Sequence, residues 1–183
     1  MLKFARLAAV AAVALAAGAA NAATTVIDFN NGTAENFSGS YTIYNTGIVN
    51  VAAAVNDTPF LAVPQDGQRV GTATYTSANR ITGFSFDWGT PDSYNTLTFL
   101  NGTGGTVNPT VTGGGLAAGR YTYTFADSDN VRSVNFGTTE RAFEIDNLSV
   151  TAVPEPASWA LMLVGFAMVG ASVRRRSTNV VAA

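Results

Sequence analysis

The chain reads as an all-β protein, a two-sheet antiparallel sandwich of jelly-roll type, with an N-terminal signal helix and a C-terminal transmembrane helix. Three observations predict this. Thr24 to Thr151 is rich in Thr, Val, Phe, Tyr, Gly and Asn, the residues of half-buried strands and their turns. Within it, apolar residues recur with a period of two, and no stretch longer than ten residues keeps a helical period. Uncharged apolar runs beside basic residues stand at both ends.

The N-terminus is read first. Lys3 and Arg6 form a basic start, Leu7 to Ala20 is an alanine-rich apolar run without a polar face, and Ala20-Asn21-Ala22 places small residues where a signal peptidase reads them. Residues 1–22 are predicted to be a signal peptide, cleaved after Ala22.

Strands are predicted near 24–29, 40–44, 47–54, 69–76, 80–88, 95–100, 106–111, 120–126, 131–137 and 141–151. Phe84, Phe86 and Trp88 share one face while Ser85 and Asp87 take the other. Leu97 and Phe99 alternate with Thr96 and Thr98, and Tyr121, Tyr123 and Phe125 oppose two threonines. Phe143 and Ile145 oppose Glu144 and Asp146. In each case one face is expected on a core and the other in water. Turns are expected at Asn30-Asn31-Gly32, Pro64 to Gly67, Gly89 to Asp92, Asn101-Gly102 and Gly113 to Gly115. The glycine triplet lacks the lysine and the strand–loop–helix setting of a phosphate loop and is read as a flexible turn.

At Pro154-Glu155-Pro156 the last strand must stop, because proline cannot donate to a ladder and biases its predecessor to an extended form. The tail is assigned to 153–183. Its apolar part, 157–173, carries no charge and as a helix would measure roughly 25 Å, adequate for a bilayer core of ~30 Å if the following arginines snorkel. Trp159 stands at one end, and Arg174, Arg175 and Arg176 at the other are placed in the cytoplasm by the positive-inside rule.

Composition narrows function. The chain has 183 residues with no cysteine and no histidine. Disulfides, thiolate chemistry and every Ser-His or Cys-His arrangement are therefore excluded. The domain 23–152 keeps five arginines, no lysine and eleven acids, a formal charge of −6. Such a surface has no footprint for nucleic acid.

Pro154-Glu155-Pro156, then Trp159-Ala160, an apolar stretch with Gly165-Phe166, and Arg174-Arg175-Arg176 together resemble the PEP-CTERM sorting signal in its PEPxxWA form. The resemblance implies a Gram-negative bacterium, export by the general secretory route and transient tethering in the inner membrane. It also implies recognition near Pro154–Pro156 by an exosortase, a membrane cysteine transpeptidase-like enzyme. Proteins with this tail are associated with exopolysaccharide, biofilm or the cell surface. More weakly, Phe86 to Phe99 is similar to a segment common in the exported domains that carry such tails. Phe143 to Val150 is similar to the last strand of those domains and of carbohydrate-binding jelly rolls.

Two candidate sites follow. Asp87, Asp92, Tyr94 and Asn95 cluster in sequence around the turn after Trp88. One reading is a glycan or cation site, with Trp88 or Tyr94 stacked on a sugar. The other puts Trp88 in the core and lets Asp92 and Asn95 bond their own turn. Asp28, Asn30, Glu35 and Asp146 offer the hard oxygens that calcium prefers, on first and last strands that lie close together in carbohydrate-binding jelly rolls. Their spacing does not require a site. No pair of carboxylates is marked by a motif, so the chain is read as a non-enzyme. The expected role is structural or adhesive in extracellular polysaccharide. The alternatives are a calcium-stabilised carbohydrate-binding module and, after it, a secreted hydrolase.

Overall fold

In the computed structural model, residues 21–45, 58–154 and 158–177 are described. The strands are β1 (Ala23–Ile27), β2 (Phe37–Gly39), β3 (Thr42–Tyr44), β4 (Phe60–Val63), β5 (Gly71–Trp88), β6 (Asn95–Asn101), β7 (Thr106–Thr112), β8 (Gly119–Thr124), β9 (Val131–Thr138) and β10 (Phe143–Val153). The helix α1 (Ser158–Ser177) follows. Every strand pairing is antiparallel.

The hydrogen bonding joins all ten strands into one sheet, a path of seven with β1, β2 and β8 branching from it, where two separate sheets were expected. The reason is β5. Residues 69–76 and 80–88 were read as two strands, but they are one strand of 18 residues. Its first half pairs with β9 and β2, from Gly71↔Thr138 to Thr76↔Ser133. After a register shift between Thr76 and Ile81, its second half pairs with β10 and β8. A bulged strand that changes partners is how one sheet folds over to face itself. One layer then reads β2, β5, β9, β6, β7. The other reads β8, β5, β10, with β1 and β4 on the far side of β10 and β3 beyond β4.

The two faces meet through aromatic rings. Phe84 touches Phe99 at 5.8 Å between centroids, and Phe86 meets Phe136 edge-on at 5.6 Å. Trp88 lies flat on Phe143 at 4.3 Å, and Phe143 in turn meets Phe136 edge-on at 5.4 Å. These are the offset and edge-to-face geometries that ring quadrupoles favour. Trp88, Phe86, Phe136 and Phe143 are wholly inaccessible to solvent.

Two strands were not expected from the sequence. β4, Phe-Leu-Ala-Val, is buried on both faces and carries no alternation, and prolines at 59 and 64 bound it like a loop. β2 is three residues at the rim, paired with β5. The expected strand at 47–54 lies outside the described residues. So does the signal segment, except Asn21 and Ala22, which precede β1. The alternation in β10 puts Phe143 and Ile145 inside as expected, but Glu144 and Asp146 are also buried. Ala62 of β4 stands opposite Glu144, and the residues Thr90 and Thr58 bond the two carboxylates from above. At Asn147, φ 47° and a register shift re-phase the strand, so that Leu148 and Val150 face inward again.

The helix α1 covers the expected tail segment. Among the described residues, however, no helix is long and apolar enough to cross a membrane, contrary to the adequate span expected for 157–173. Of its twenty residues the last four are Arg174, Arg175, Arg176 and Ser177. The uncharged part, Ser158 to Val173, measures about 24 Å against a hydrocarbon core of ~30 Å.

Replacing Phe143 by Ala removes the ring under Trp88 and leaves a cavity. Its urea midpoint should report a loss of about 3–5 kcal/mol, whereas Val26→Thr, on an exposed strand face, should stay within about 0.5 kcal/mol.

Candidate functional site

The loop between β5 and β6 is held to the start of β10 by a set of buried polar groups. Gly89 N–H donates to the Glu144 carbonyl at 3.1 Å. The Glu144 carboxylate, on a residue 1% exposed, accepts from the Thr90 N–H at 3.2 Å and from the Thr90 hydroxyl. Asn95, fully buried, donates through Nδ2 to the carbonyls of Thr90 at 3.0 Å and Ala142 at 3.1 Å. Its Oδ1 lies 2.8 Å from the Thr138 hydroxyl. The amide of Asn95 thus uses both ends to tie the loop to β9 and to the approach of β10.

The loop tip turns at Asp92, whose carbonyl accepts from Asn95 N–H at 3.0 Å. The Tyr94 hydroxyl lies 2.7 Å from Asp92 Oδ2 and 3.0 Å from the Arg141 carbonyl. Gly113 lies against the backbone of this tip: a Cβ placed there would come within 2.6 Å of the Asp92 carbonyl oxygen. The glycine triplet is therefore a close-packed support at its first residue, where a flexible turn was expected.

Electrostatics follow from this burial. Removal from water, then the neighbouring Asp92 charge, raises the Glu144 carboxyl to about 7, against the lowering effect of the Thr90 hydrogen bonds. Burial, then the hydrogen bond to Asp92, holds the Tyr94 hydroxyl well above its ordinary value.

Asp92, Tyr94 and Asn95 are brought together, but largely toward their own backbone and each other. Trp88 is fully buried and stacked on Phe143, so it offers no face to a sugar. Asp87 lies on the opposite face of β5. Its carboxylate takes Arg120 Nη1 at 3.1 Å and Asn147 Nδ2 at 2.8 Å, and it shares no partner with Asp92. Glu144 and Thr90 were missed, because the period-two pattern placed Glu144 in water and no local signal marks the lid above it.

β1 and β10 do lie side by side, from Ala23↔Ala152 to Ile27↔Leu148. The four expected calcium ligands nevertheless do not form a group. Asp28 accepts from the Asn30 backbone N–H at 3.2 Å and from Asn30 Nδ2 at 3.0 Å in an exposed turn. Asp146 is buried and accepts from the Thr58 hydroxyl at 2.8 Å and Asn147 N–H at 2.6 Å, while Glu35 is exposed. Among the described residues no group of three or more His, Cys, Asp or Glu side chains could hold a metal ion.

In the sorting tail, Pro154 is exposed, Trp159 and Ala160 lie in the first turn of α1, and Arg174, Arg175 and Arg176 lie in its last turns. Glu155 and Pro156 are outside the described residues.

Comparison with known proteins finds a family match over one short part of the chain. Residues 152–176 match the PEP-CTERM protein-sorting motif. No curated protein matches the chain. Among solved structures, the chain is similar to the cleaved K2 adhesin domain of Lys-gingipain, with TM-score 0.49, 10% identity, and coverage of 70% of this chain and 99% of that one. It is similar to a family 35 carbohydrate-binding module from Clostridium thermocellum, with TM-score 0.42, 10% identity, and coverage of 70% and 97%. A family 29 carbohydrate-binding module gives TM-score 0.45, 16% identity, and coverage of 72% and 86%.

Glu144→Gln tests the buried carboxyl. The folded-state value, about 7, lies above the ordinary 4.5, so the folded state holds the proton more tightly. The stabilisation is complete below the ordinary value and is lost as pH rises through the folded-state one, a change on the order of 3 kcal/mol. Urea midpoints taken across that interval should fall with pH in the native protein. They should be flatter in Glu144→Gln, which keeps an acceptor for Thr90 and cannot ionise.

Proposed function

We propose that this is an exported protein of the cell surface or extracellular matrix, sorted through its tail by an exosortase. Its β-domain then serves a structural or adhesive role in exopolysaccharide. The observation that carries the reading is the match of residues 152–176 to the sorting motif. That match begins on the last two strand residues of β10, so the address starts where the folded domain stops. Support comes from the apolar, basic-started N-terminus, whose expected cleavage after Ala22 would leave Ala23 as the first residue of β1. The helix α1 is short for a full span, so tethering at the inner membrane relies on Arg174–Arg176 reaching the headgroups. Processing then frees the domain from the helix.

A second reading keeps the domain as a glycan-binding module. It is favoured by the hydrogen-bonded loop that presents exposed Ser93 beside half-buried Asp92 and Tyr94. Neither reading uses a catalytic group.

Mass spectrometry separates these claims. Protein from exosortase-positive cells should begin at Ala23 and lack α1, and cells without the enzyme should retain it. A chain intact through Ala183 in exosortase-positive cells would sink the sorting reading. On a glycan array, specific sugar binding by the native protein that Asp92→Ala abolishes would favour the module. Binding that Asp92→Ala leaves unchanged would remove the β5–β6 loop as its site.

A further inference from the structure

Two Asn-Gly-Thr tripeptides fold in the same way: Asn31-Gly32-Thr33 lies in an exposed turn, and Asn101-Gly102-Thr103 starts on the half-buried last residue of β6 and runs into an exposed turn. Between β1 and β2, Asn31 Oδ1 accepts from the Thr33 backbone N–H at 3.0 Å and from the Thr33 hydroxyl at 2.7 Å. Between β6 and β7, Asn101 Oδ1 accepts from the Thr103 N–H at 3.0 Å and the Thr103 hydroxyl at 2.8 Å, and from Gly105 N–H at 2.8 Å. The middle glycine is tied in both turns: Gly32 N–H donates to Phe29 at 2.9 Å and Gly102 N–H to Asn130 at 3.1 Å. That leaves neither glycine nitrogen free to attack its own asparagine. The amide nitrogens Nδ2 of Asn31 and Asn101 have no hydrogen-bond partner among the described residues.

We propose that Asn31 and Asn101 are N-glycosylation sites, acceptors for a saccharide carried on a polyprenyl diphosphate. An Asn-x-Ser/Thr triplet in a surface loop of an exported protein is the acceptor pattern. The geometry adds a chemical reason. A hydroxyl donating to the amide oxygen draws electron density toward that oxygen and favours the imidate-like form, in which Nδ2 has an available lone pair. Nδ2 attacks the anomeric carbon, the new C1–N bond forms, the C1–O bond to the diphosphate breaks with its electron pair, and Nδ2 releases one proton. No oxidant or reductant is required.

The fold also separates these triplets from others with the same pattern. In Asn147-Leu148-Ser149, Nδ2 already donates to Asp87 at 2.8 Å, and the residues belong to β10 between its neighbours. In Asn36-Phe37-Ser38, Phe37 packs on the core, Ser38 pairs with Thr74 in the ladder, and no hydrogen bond joins Asn36 to Ser38. Asn56-Asp57-Thr58 lies partly outside the described residues.

The inference rests on the export reading, since the donor lipid is used outside the cytoplasm. The whole protein, recovered from the producing cells, should be sequenced at its N-terminus and mapped by peptide mass. Saccharide increments are expected at Asn31 and Asn101 and not at Asn147. Asn31→Gln, Asn101→Gln, Thr33→Val and Thr103→Val should each remove the increment at their own turn, and Thr33→Ser and Thr103→Ser should keep it. An N-terminus at Ala23 with both asparagines bare, or with only the small mass gain of deamidation, would overturn this inference and leave export standing. Modification at Asn147 in place of these turns would overturn it as well. An N-terminus still at Met1 would overturn export and the inference together.

Discussion

The indole of Trp88 lies flat on the ring of Phe143, centroids 4.3 Å apart and planes 1° from parallel, and much of the domain is arranged around that contact. With no cysteine in the chain, no disulfide ties the two faces together. Trp88 ends β5 and Phe143 begins β10, the two strands through which most of the remaining strands are connected. From this pair the rings continue to Phe86 and Phe136, and so to the opposite face. The loop after Trp88 and the carboxylate after Phe143 inherit their positions from the stack. Thr90 and Glu144 meet because Trp88, two residues before the one, and Phe143, immediately before the other, are already in contact.

Much of this was legible in the residues. Alternation of Phe84, Phe86 and Trp88 marks a buried face, and each of them is inside. The gap of three between Ile145 and Leu148 is the trace of the shift at Asn147, where a left-handed backbone suits asparagine. The single long strand was not legible. Ser77, Ala78 and Asn79 look like a break, and only the change of partners on either side shows that they form a bend within one strand. β4 was hidden because a strand covered on both faces has no alternation to show.

For the site, local chemistry was visible and tertiary cover was not. The sequence marks Asp92 and Asn95 as turn-bonding residues, and they do bond the turn. It cannot show that Ala62 stands beside Glu144, or that Thr90 closes over it, because those neighbours come from distant segments. The candidate calcium ligands fail to assemble for a related reason. Strand adjacency brings β1 beside β10, but Asp28 sits past the end of its strand in its own turn, while Asp146 is taken up by Thr58. The tail was the most readable part, since its features are contiguous in sequence and need no fold to bring them together.

The pairing of Ala23 with Ala152 has a mechanical meaning. Both ends of the domain leave from the same corner, on neighbouring strands that run in opposite directions. A pull between those ends loads their hydrogen bonds one pair at a time, so β1 peels like a zipper. Tension between one terminus and a loop at the opposite end of the layers would instead shear many bonds at once. A domain so wired hangs well from a single point of attachment, but it is a weak link if it is pulled in line by its two termini.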